Sequence, residues 1–197
     1  MLVTKPLSRR YHGTLIQCNK GDIIFNEGQP ANFFYQVEEG RVKMFSVNAS
    51  GKEFIQGVFH RGEPFGEPPL LCGFDYLASA MCILDSELIR IPKQYFLDLL
   101  RENFDVHLRL DSILCNRLRY KNKILAEVAF QDPDHRLQFL LQHLKKESGV
   151  DHQPFVVPLT RQNLADMTGL RVETVIRQIK KMEKEGKLSI QNQKVIL

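Results

Sequence analysis

The sequence predicts an α+β protein with an N-terminal antiparallel β-roll (a double-stranded β-helix, residues 1–101), a long helix (102–130) and a C-terminal winged helix-turn-helix (131–197). Three observations predict this order. Glycines recur about every ten residues through the first half, as in a compact all-β roll. Helical periodicity then replaces that pattern after Pro92. Two short amphipathic segments finally flank Gly169, where a tight turn between helices needs a residue that tolerates positive φ.

The β-roll is predicted from short apolar or aromatic clusters that alternate with glycine turns. Glu39-Gly40 and Ser50-Gly51 are typical hairpin turns between such strands. Residues 68–71 are expected to form one short helical turn. The predicted strands are Asp22–Phe25, Phe33–Val37, Val42–Val47, Phe54–Phe59 and Leu88–Ile91.

A short helix is predicted over Lys93–Leu100, and a long one runs from the N-cap Asn103 to about Phe130. At ~1.5 Å per residue this second helix spans ~40 Å. Its apolar residues lie three, four and seven apart, so one stripe can pack on the roll while another meets a second subunit. A monomeric packing helix is the alternative interpretation. The predicted dimerisation residues are Leu110, Leu114, Leu118, Lys121 (which interrupts the seam), Leu125 and Val128.

The helix-turn-helix is predicted from an apolar set at helical spacing around Gly169. A hinge is expected at Phe130–Asp132, because Asp132 can cap a new helix that Pro133 opens. That helix is predicted over His135–Glu147, and the second helix of the motif from about Val172 to Glu185. Two strands at Leu188–Ile190 and Lys194–Leu197 would form the wing. The predicted core of the motif is Leu164, Ala165, Thr168, Leu170, Val175, Ile179 and Met182.

The net charge is concentrated at the C-terminus. Residues 160–197 contain eight Lys and Arg against four Asp and Glu, a net charge of +4, which equals the net charge of the whole chain. The first 159 residues therefore sum to zero. A small basic unit of this kind is the electrostatic footprint that binding to DNA phosphate requires.

Other functional classes find little support in the sequence. No apolar run of about 18 residues and no signal-peptide core is present, so we expect a cytoplasmic protein without a membrane partner. The four cysteines and six histidines are scattered without metal-ligand spacing, so no metal site is predicted. The sequence contains no nucleophile–base pair and no P-loop, so we expect no enzyme activity.

Three groups of residues carry a family resemblance: Gly21, Gly28 and Gly40 followed by Phe65-Gly66-Glu67; Leu77–Ala80 through Leu84–Leu88; and Leu159–Ala165 with Val172–Arg177. In this order they resemble the Crp–Fnr family of transcription regulators, over nearly the whole chain. The resemblance implies a cyclic-nucleotide-binding-like roll, a homodimer on double-stranded DNA and contact with RNA polymerase through the loop at Ser148–Pro158.

The resemblance also implies which residues contact DNA. Arg177 would read a guanine and Glu173 a cytosine, in a half-site where G·C is followed by A·T. Arg171 stands where the family often has a Ser or Thr cap, a departure that weakens the cap by about 1 kcal/mol. Ile176 has two open interpretations, contact with a thymine methyl group or packing. The complete predicted set is Thr160, Arg161, Gln162, Arg171, Glu173, Thr174, Ile176, Arg177 and Lys180.

The sensor half departs from the cyclic-AMP-binding members of the family. The positions of their phosphate-binding Arg and Ser/Thr are held by Leu77 and Ala78, and the adenine-contacting pair is replaced by Lys121-Asn122. A buried phosphate without a counter-charge is costly, so we expect an effector other than cyclic AMP, or none. The predicted effector-pocket residues are Gly66, Glu67, Leu77, Ala78, Lys121 and Asn122.

Two alternatives to this interpretation of the sensor stay open. One is a cyclic-nucleotide-responsive regulator, in which Glu67 binds ribose rather than serving as a structural carboxylate. The other is a redox regulator or a haem-based sensor of nitric oxide or oxygen. An iron–sulphur cluster is not expected, because Cys18 is the one cysteine near the start of the roll. No cofactor is predicted. For the haem alternative, the candidate axial ligands are His60, His107, Cys72 and Cys82.

Overall fold

A computed structural model of the chain describes residues 1–130, 132–149 and 154–197, except for the side chains of 128–130, 133 and 134. The chain divides into two compact units, residues 1–116 and 117–197. The predicted hinge at Phe130–Asp132, the side chain of Val128 and part of the loop at Ser148–Pro158 lie outside the described residues. Among the residues that are described, no helix is both long enough and apolar enough to cross a membrane.

The first unit is a roll of two four-stranded antiparallel sheets, which confirms the predicted fold class. The strands are β1 (Thr14–Cys18), β2 (Ile23–Phe25), β3 (Phe33–Glu39), β4 (Val42–Val47), β5 (Glu53–Phe59), β6 (Pro64–Phe65), β7 (Ser79–Cys82) and β8 (Ser86–Pro92), with helices α1 (Lys5–Arg10) and α2 (Glu67–Cys72). One sheet has the strand order β1-β8-β3-β6 and the other β2-β7-β4-β5. Strands β3, β4 and β5 each lie within two residues of their predicted bounds.

The core of the first unit is rich in aromatic side chains, which lie on both faces of β3. The rings of Phe34 and Phe96 stack with centroids 4.1 Å apart, and those of Tyr35 and Phe65 stack at 5.5 Å. Such pairs contribute about 0.5–1.5 kcal/mol beyond the area they bury. Leu110 of the following long helix is fully buried in the same core.

The N-terminal segment is fastened to the roll by one buried side chain. Gln36 on β3 accepts hydrogen bonds from the backbone N–H groups of Leu2 and Val3 at 3.1 and 2.8 Å, and its amide donates to the Val3 carbonyl at 2.8 Å. Periodicity does not predict the short α1 that follows, because six residues make fewer than two turns.

The long helix has two distinct faces. After α3 (Lys93–Glu102), helix α4 runs over Phe104–Phe130, close to the predicted bounds. The buried or half-buried line is formed by Val106, Leu110, Ile113, Arg117, Tyr120, Ile124 and Glu127, alternately four and three residues apart. A second 4–3 line lies opposite and is exposed throughout: Phe104, Leu108, Asp111, Cys115, Leu118, Asn122 and Leu125.

The second unit contains a three-helix core and a wing, as predicted. Helices α5 (Pro133–Glu147), α6 (Arg161–Thr168) and α7 (Val172–Lys184) pack together around Leu137, Leu140 and Leu141, which are fully buried. Strands β9 (Ser189–Gln191) and β10 (Lys194–Ile196) form the wing. Val156 bridges to Ile196, so the backbone at 155–157 extends the hairpin on its other edge.

Candidate DNA-binding interface

The first helix of the motif, α6, begins at a reciprocal cap. The hydroxyl of Thr160 accepts a hydrogen bond from the Asn163 backbone N–H at 3.0 Å, and the Asn163 side-chain oxygen accepts one from the Thr160 N–H at 3.3 Å. This capping box satisfies two backbone donors that the first turn would otherwise leave without a partner. It fixes where α6 starts, and with it the predicted residues Arg161 and Gln162 in the first turn. Arg161 is half-buried and Gln162 is exposed.

The turn between α6 and α7 is set by Gly169. Its φ of 70° lies in the left-handed region, where a side chain costs roughly 1–2 kcal/mol. The Leu170 N–H donates to the Ala165 carbonyl at 3.1 Å and so closes the helix end. All seven predicted core residues of the motif are buried, at 0–8% exposure. The two helices are therefore held together by the apolar set that their periodicity predicts.

The second helix, α7, presents a charged face away from that core. Val175, Ile179 and Met182 anchor one side of it. The opposite side carries exposed Glu173 and Arg177, one helical turn apart. These two residues line one open groove together with Ile176, Lys180, Lys181, Lys184 and Glu185.

Ile176 lies on this outward face rather than in the core. Its side chain is 40% exposed, whereas the neighbouring Val175 is fully buried. Ile176 therefore keeps apolar area available to a partner, and contact with a thymine methyl group stays a prediction. Thr174 is half-buried at the edge of the same face.

Arg171 occupies the N-cap position of α7, and its side chain makes no capping hydrogen bond. The sequence departs here from the residues that cap helices well. The exposed guanidinium is left at the positive end of the helix, beside backbone N–H groups that can bind an anion such as phosphate.

Replacing Arg171 by Ser is expected to stabilise the fold while weakening contact with phosphate. A serine hydroxyl can accept from the N–H groups of the first turn, and good caps contribute about 1 kcal/mol. Thermal unfolding of the Arg171→Ser variant should therefore show a higher midpoint than the wild type. Arg171→Ala serves as the control, because it removes the charge without adding a cap. An equal midpoint for the Ser and Ala variants would contradict this account of the cap.

The wing is tied to the end of α7 by one carboxylate. Glu183 accepts a hydrogen bond from the Ile190 backbone N–H at 3.2 Å. Asn192 and Gln193 both have positive φ, as the tight two-residue turn of the wing requires.

The predicted set of DNA-contacting residues omits Lys181 and Lys184, although both line the groove. Their spacing of four and seven from Arg177 is a signal that could have identified them.

The predicted effector residues fall into both units. Gly66 has a φ of 77°, and a Cβ there would lie 3.1 Å from the rings of Phe25 and Tyr76. Glu67 opens α2 and is almost completely buried, at 1% exposure. Leu77 is 68% exposed and Ala78 fully buried, while Lys121 and Asn122 are exposed residues of the second unit.

The candidate haem ligands have dissimilar surroundings. Cys82 is fully buried, and burial raises the pKa of its thiol to about 12, so the ligating thiolate is disfavoured. Burial also lowers the pKa of His60, which favours its neutral ring. Cys72 and His107 are exposed. Within the described part of the chain, no three His, Cys, Asp or Glu side chains form a group that could hold a metal ion.

The described residues of the predicted dimerisation set have three different surroundings. Leu110 is fully buried in the core of the first unit, and Leu114 packs against that core, so Leu110 has no surface left for a second subunit. Leu118 and Leu125 are 59% and 67% exposed, as a dimer contact requires. Lys121 is exposed but lies beside the exposed 4–3 line rather than on it.

Comparisons with known proteins agree with this architecture. Residues 15–103 match the family model of the cyclic nucleotide-binding domain, and residues 135–197 match that of the Crp-like helix-turn-helix domain. A "Cyclic AMP receptor protein" of Thermus thermophilus is 30% identical over 85% of this chain and 76% of its own length. The "Transcriptional activator protein anr" of Pseudomonas aeruginosa is 25% identical over 89% of this chain and 73% of its own.

Among solved structures, FixK2 from Bradyrhizobium japonicum superposes with a TM-score of 0.81, covering 94% of this chain and 92% of its own at 21% identity. That likeness concerns the fold alone. The sequence relatives are transcription regulators rather than enzymes. Both domain models match this chain in order, and the chain covers most of the length of a relative that is 30% identical. The chain therefore belongs to the Crp–Fnr family of transcription regulators, with a DNA-binding helix-turn-helix at its C-terminus.

Proposed function

We propose that this regulator binds as a homodimer to an inverted-repeat operator and reads each half-site with Arg177 and Glu173. The orientation of α7 is the observation that supports this role of Arg177 and Glu173. Both side chains are exposed on the face opposite the buried Val175 and Ile179, which anchor the helix. A guanidinium can donate two hydrogen bonds to guanine, and a carboxylate can accept one from the amino group of cytosine. Phosphate contacts are assigned to Thr160, Arg161, Gln162, Arg171, Thr174 and Lys180, and also to Lys184, which lines the same groove.

Selection of bound duplexes from a random pool by the full-length protein tests this function. We expect an inverted repeat whose half-site centres lie about one or a small whole number of helical turns apart, with G·C at one fixed step of each half. Binding that weakens with salt is expected of any protein that contacts phosphate and is not by itself support. The proposal would be refuted if the selected duplexes lacked an inverted repeat, or if no sequence were enriched.

The dimer contact is assigned to the exposed 4–3 line of α4. Residues alternately four and three apart form the seam of a left-handed coiled coil, with each residue meeting its own copy in a parallel dimer. Leu108, Leu118 and Leu125 supply apolar contact on this line. Asn122 lies on the same line, and a polar residue at such a seam position fixes register at a cost in stability.

We also propose that the regulator does not use cyclic AMP. Leu77 and Ala78 offer neither a cation nor a hydroxyl to a cyclic phosphate, and α2 begins with Glu67-Pro68-Pro69, where both prolines lack an N–H donor. Contact with RNA polymerase through the loop at Ser148–Pro158 is proposed on the family resemblance. The second candidate is a cyclic-nucleotide-responsive regulator, which the name of the Thermus thermophilus relative favours.

Calorimetry separates these two candidates. Titration of the full-length protein with cyclic AMP is expected to give no saturable heat, because a desolvated phosphate without a counter-charge is strongly disfavoured. A double variant, Leu77→Arg with Ala78→Ser, restores the missing cation and hydroxyl and serves as the gain-of-binding comparison. Saturable binding to the unmodified protein at micromolar cyclic AMP would favour the second candidate.

A further inference from the structure

One residue on the charged face of α7 is aliphatic. Ile176 lies three residues after Glu173 and directly before Arg177, and all three line the same groove. Its side chain is 40% exposed. The other large aliphatic residues from the middle of the helix onward, Ile179 and Met182, are buried. Ile176 therefore has apolar area available where the other groove-lining side chains are charged.

The major groove offers one prominent apolar group to such a side chain. Among the four bases, thymine alone presents a methyl group there, at C5, and aliphatic side chains contact it. Ile176 lies three residues after Glu173, so the two side chains are neighbours on the helix surface. A side chain beside Glu173 on this face therefore meets a base pair at or next to the step that Glu173 and Arg177 are proposed to read.

We propose that Ile176 reads the 5-methyl group of a thymine close to the guanine contacted by Arg177, and so determines which base pair this step of the half-site accepts. The inference rests on the proposed DNA-binding role of α7 and adds to it the chemistry of one further position. It concerns a single methyl group, so it can be tested without altering any hydrogen-bonding atom of the DNA.

The test replaces thymine by deoxyuridine, which lacks only the 5-methyl group. Each thymine of the selected half-site is replaced in turn, symmetrically in both halves, and the affinity of the full-length protein is measured. Because one buried methyl group is involved, we expect one position to weaken binding about fourfold per half-site, or about fifteenfold for the repeat. Deoxyuridine outside the half-sites is the matched control and is expected to have no effect.

Ile176→Ala identifies the side chain responsible. This variant should bind the thymine duplex more weakly than the wild type, and the deoxyuridine substitution at the sensitive position should then have little further effect. Because Ile176 is exposed, the thermal unfolding midpoint is expected to stay within a few degrees of the wild type. A double-mutant cycle between side chain and methyl group gives the coupling directly.

The results distinguish this inference from the proposed function. Sequence-specific binding with the same affinity for every deoxyuridine duplex would overturn the inference and leave the roles of Arg177 and Glu173 standing. Equal sensitivity of wild type and Ile176→Ala to deoxyuridine would also overturn it, because another residue would then contact the methyl group. A protein without any sequence preference would refute the proposed function itself, and this inference with it.

Discussion

Arg177→Ala is expected to lower affinity for the selected inverted repeat about 100-fold or more, because each half-site loses a bidentate contact worth about 1–3 kcal/mol in discrimination. Affinity for unrelated duplexes should fall far less, since phosphate contacts supply most of that binding. Arg177 is exposed and takes no part in the core of the second unit, so its removal should not unfold the protein. The measurement is the ratio of specific to non-specific dissociation constants at fixed salt.

Lys184→Ala is the matched control for that result. Lys184 is another cation on the same groove, one turn beyond Lys180 and Lys181. Its loss should weaken specific and non-specific binding by a similar factor. It should also reduce the slope of log affinity against log salt concentration by about one per subunit. If Arg177→Ala behaves like Lys184→Ala, with the specificity ratio preserved, then Arg177 is a phosphate contact and does not read a base.

A double substitution on α4, Leu118→Glu with Leu125→Glu, is expected to give a folded monomer. The two side chains are 59% and 67% exposed in the single chain, so neither is needed for its core. Each leucine buried at a dimer contact contributes about 1.5–3 kcal/mol. Four such side chains per dimer are lost, and like charges then face each other across the seam. The mass measured by light scattering should fall to that of one chain, 22.8 kDa.

Loss of the dimer should also remove tight binding to the repeat, since two half-sites are then no longer held together. Asn116→Glu provides the control: Asn116 is exposed on α4 but belongs to neither 4–3 line. That variant is expected to stay dimeric and to bind the repeat with little change. A wild-type protein that is itself monomeric at micromolar concentration, on and off DNA, would contradict the assignment of the exposed line.

The faces of α7 could be predicted from sequence, while those of α4 could only be predicted in part. In α7 the buried residues Val175, Ile179 and Met182 lie on one side, so their periodicity defines the inner face, although the aliphatic Ile176 is exposed on the outer one. In α4 both 4–3 lines contain leucines. Leu110 belongs to the line that packs on its own subunit and Leu118 to the exposed line, and a spacing of eight does not reveal the difference.

The predicted effector-pocket residue Glu67 shows a second limit of sequence-based prediction. Glu67 is almost completely buried, and an isolated carboxylate has no pattern from which burial can be inferred. The preceding Gly66 lies against the rings of Phe25 and Tyr76, which stack with centroids 3.6 Å apart. These residues come from distant parts of the chain, and only the fold brings them together. The helix-turn-helix core, by contrast, is built from neighbours in sequence.

Methylation interference tests the central claim most directly. Methylation of guanine N7 blocks a contact in the major groove without affecting the phosphates, so it reports on the atom to which Arg177 is proposed to donate. We expect interference at one guanine in each half-site, symmetrically placed, and no interference at that guanine in the Arg177→Ala variant. Interference that is absent, asymmetric, or unchanged in the variant would contradict base recognition by a pair of α7 helices.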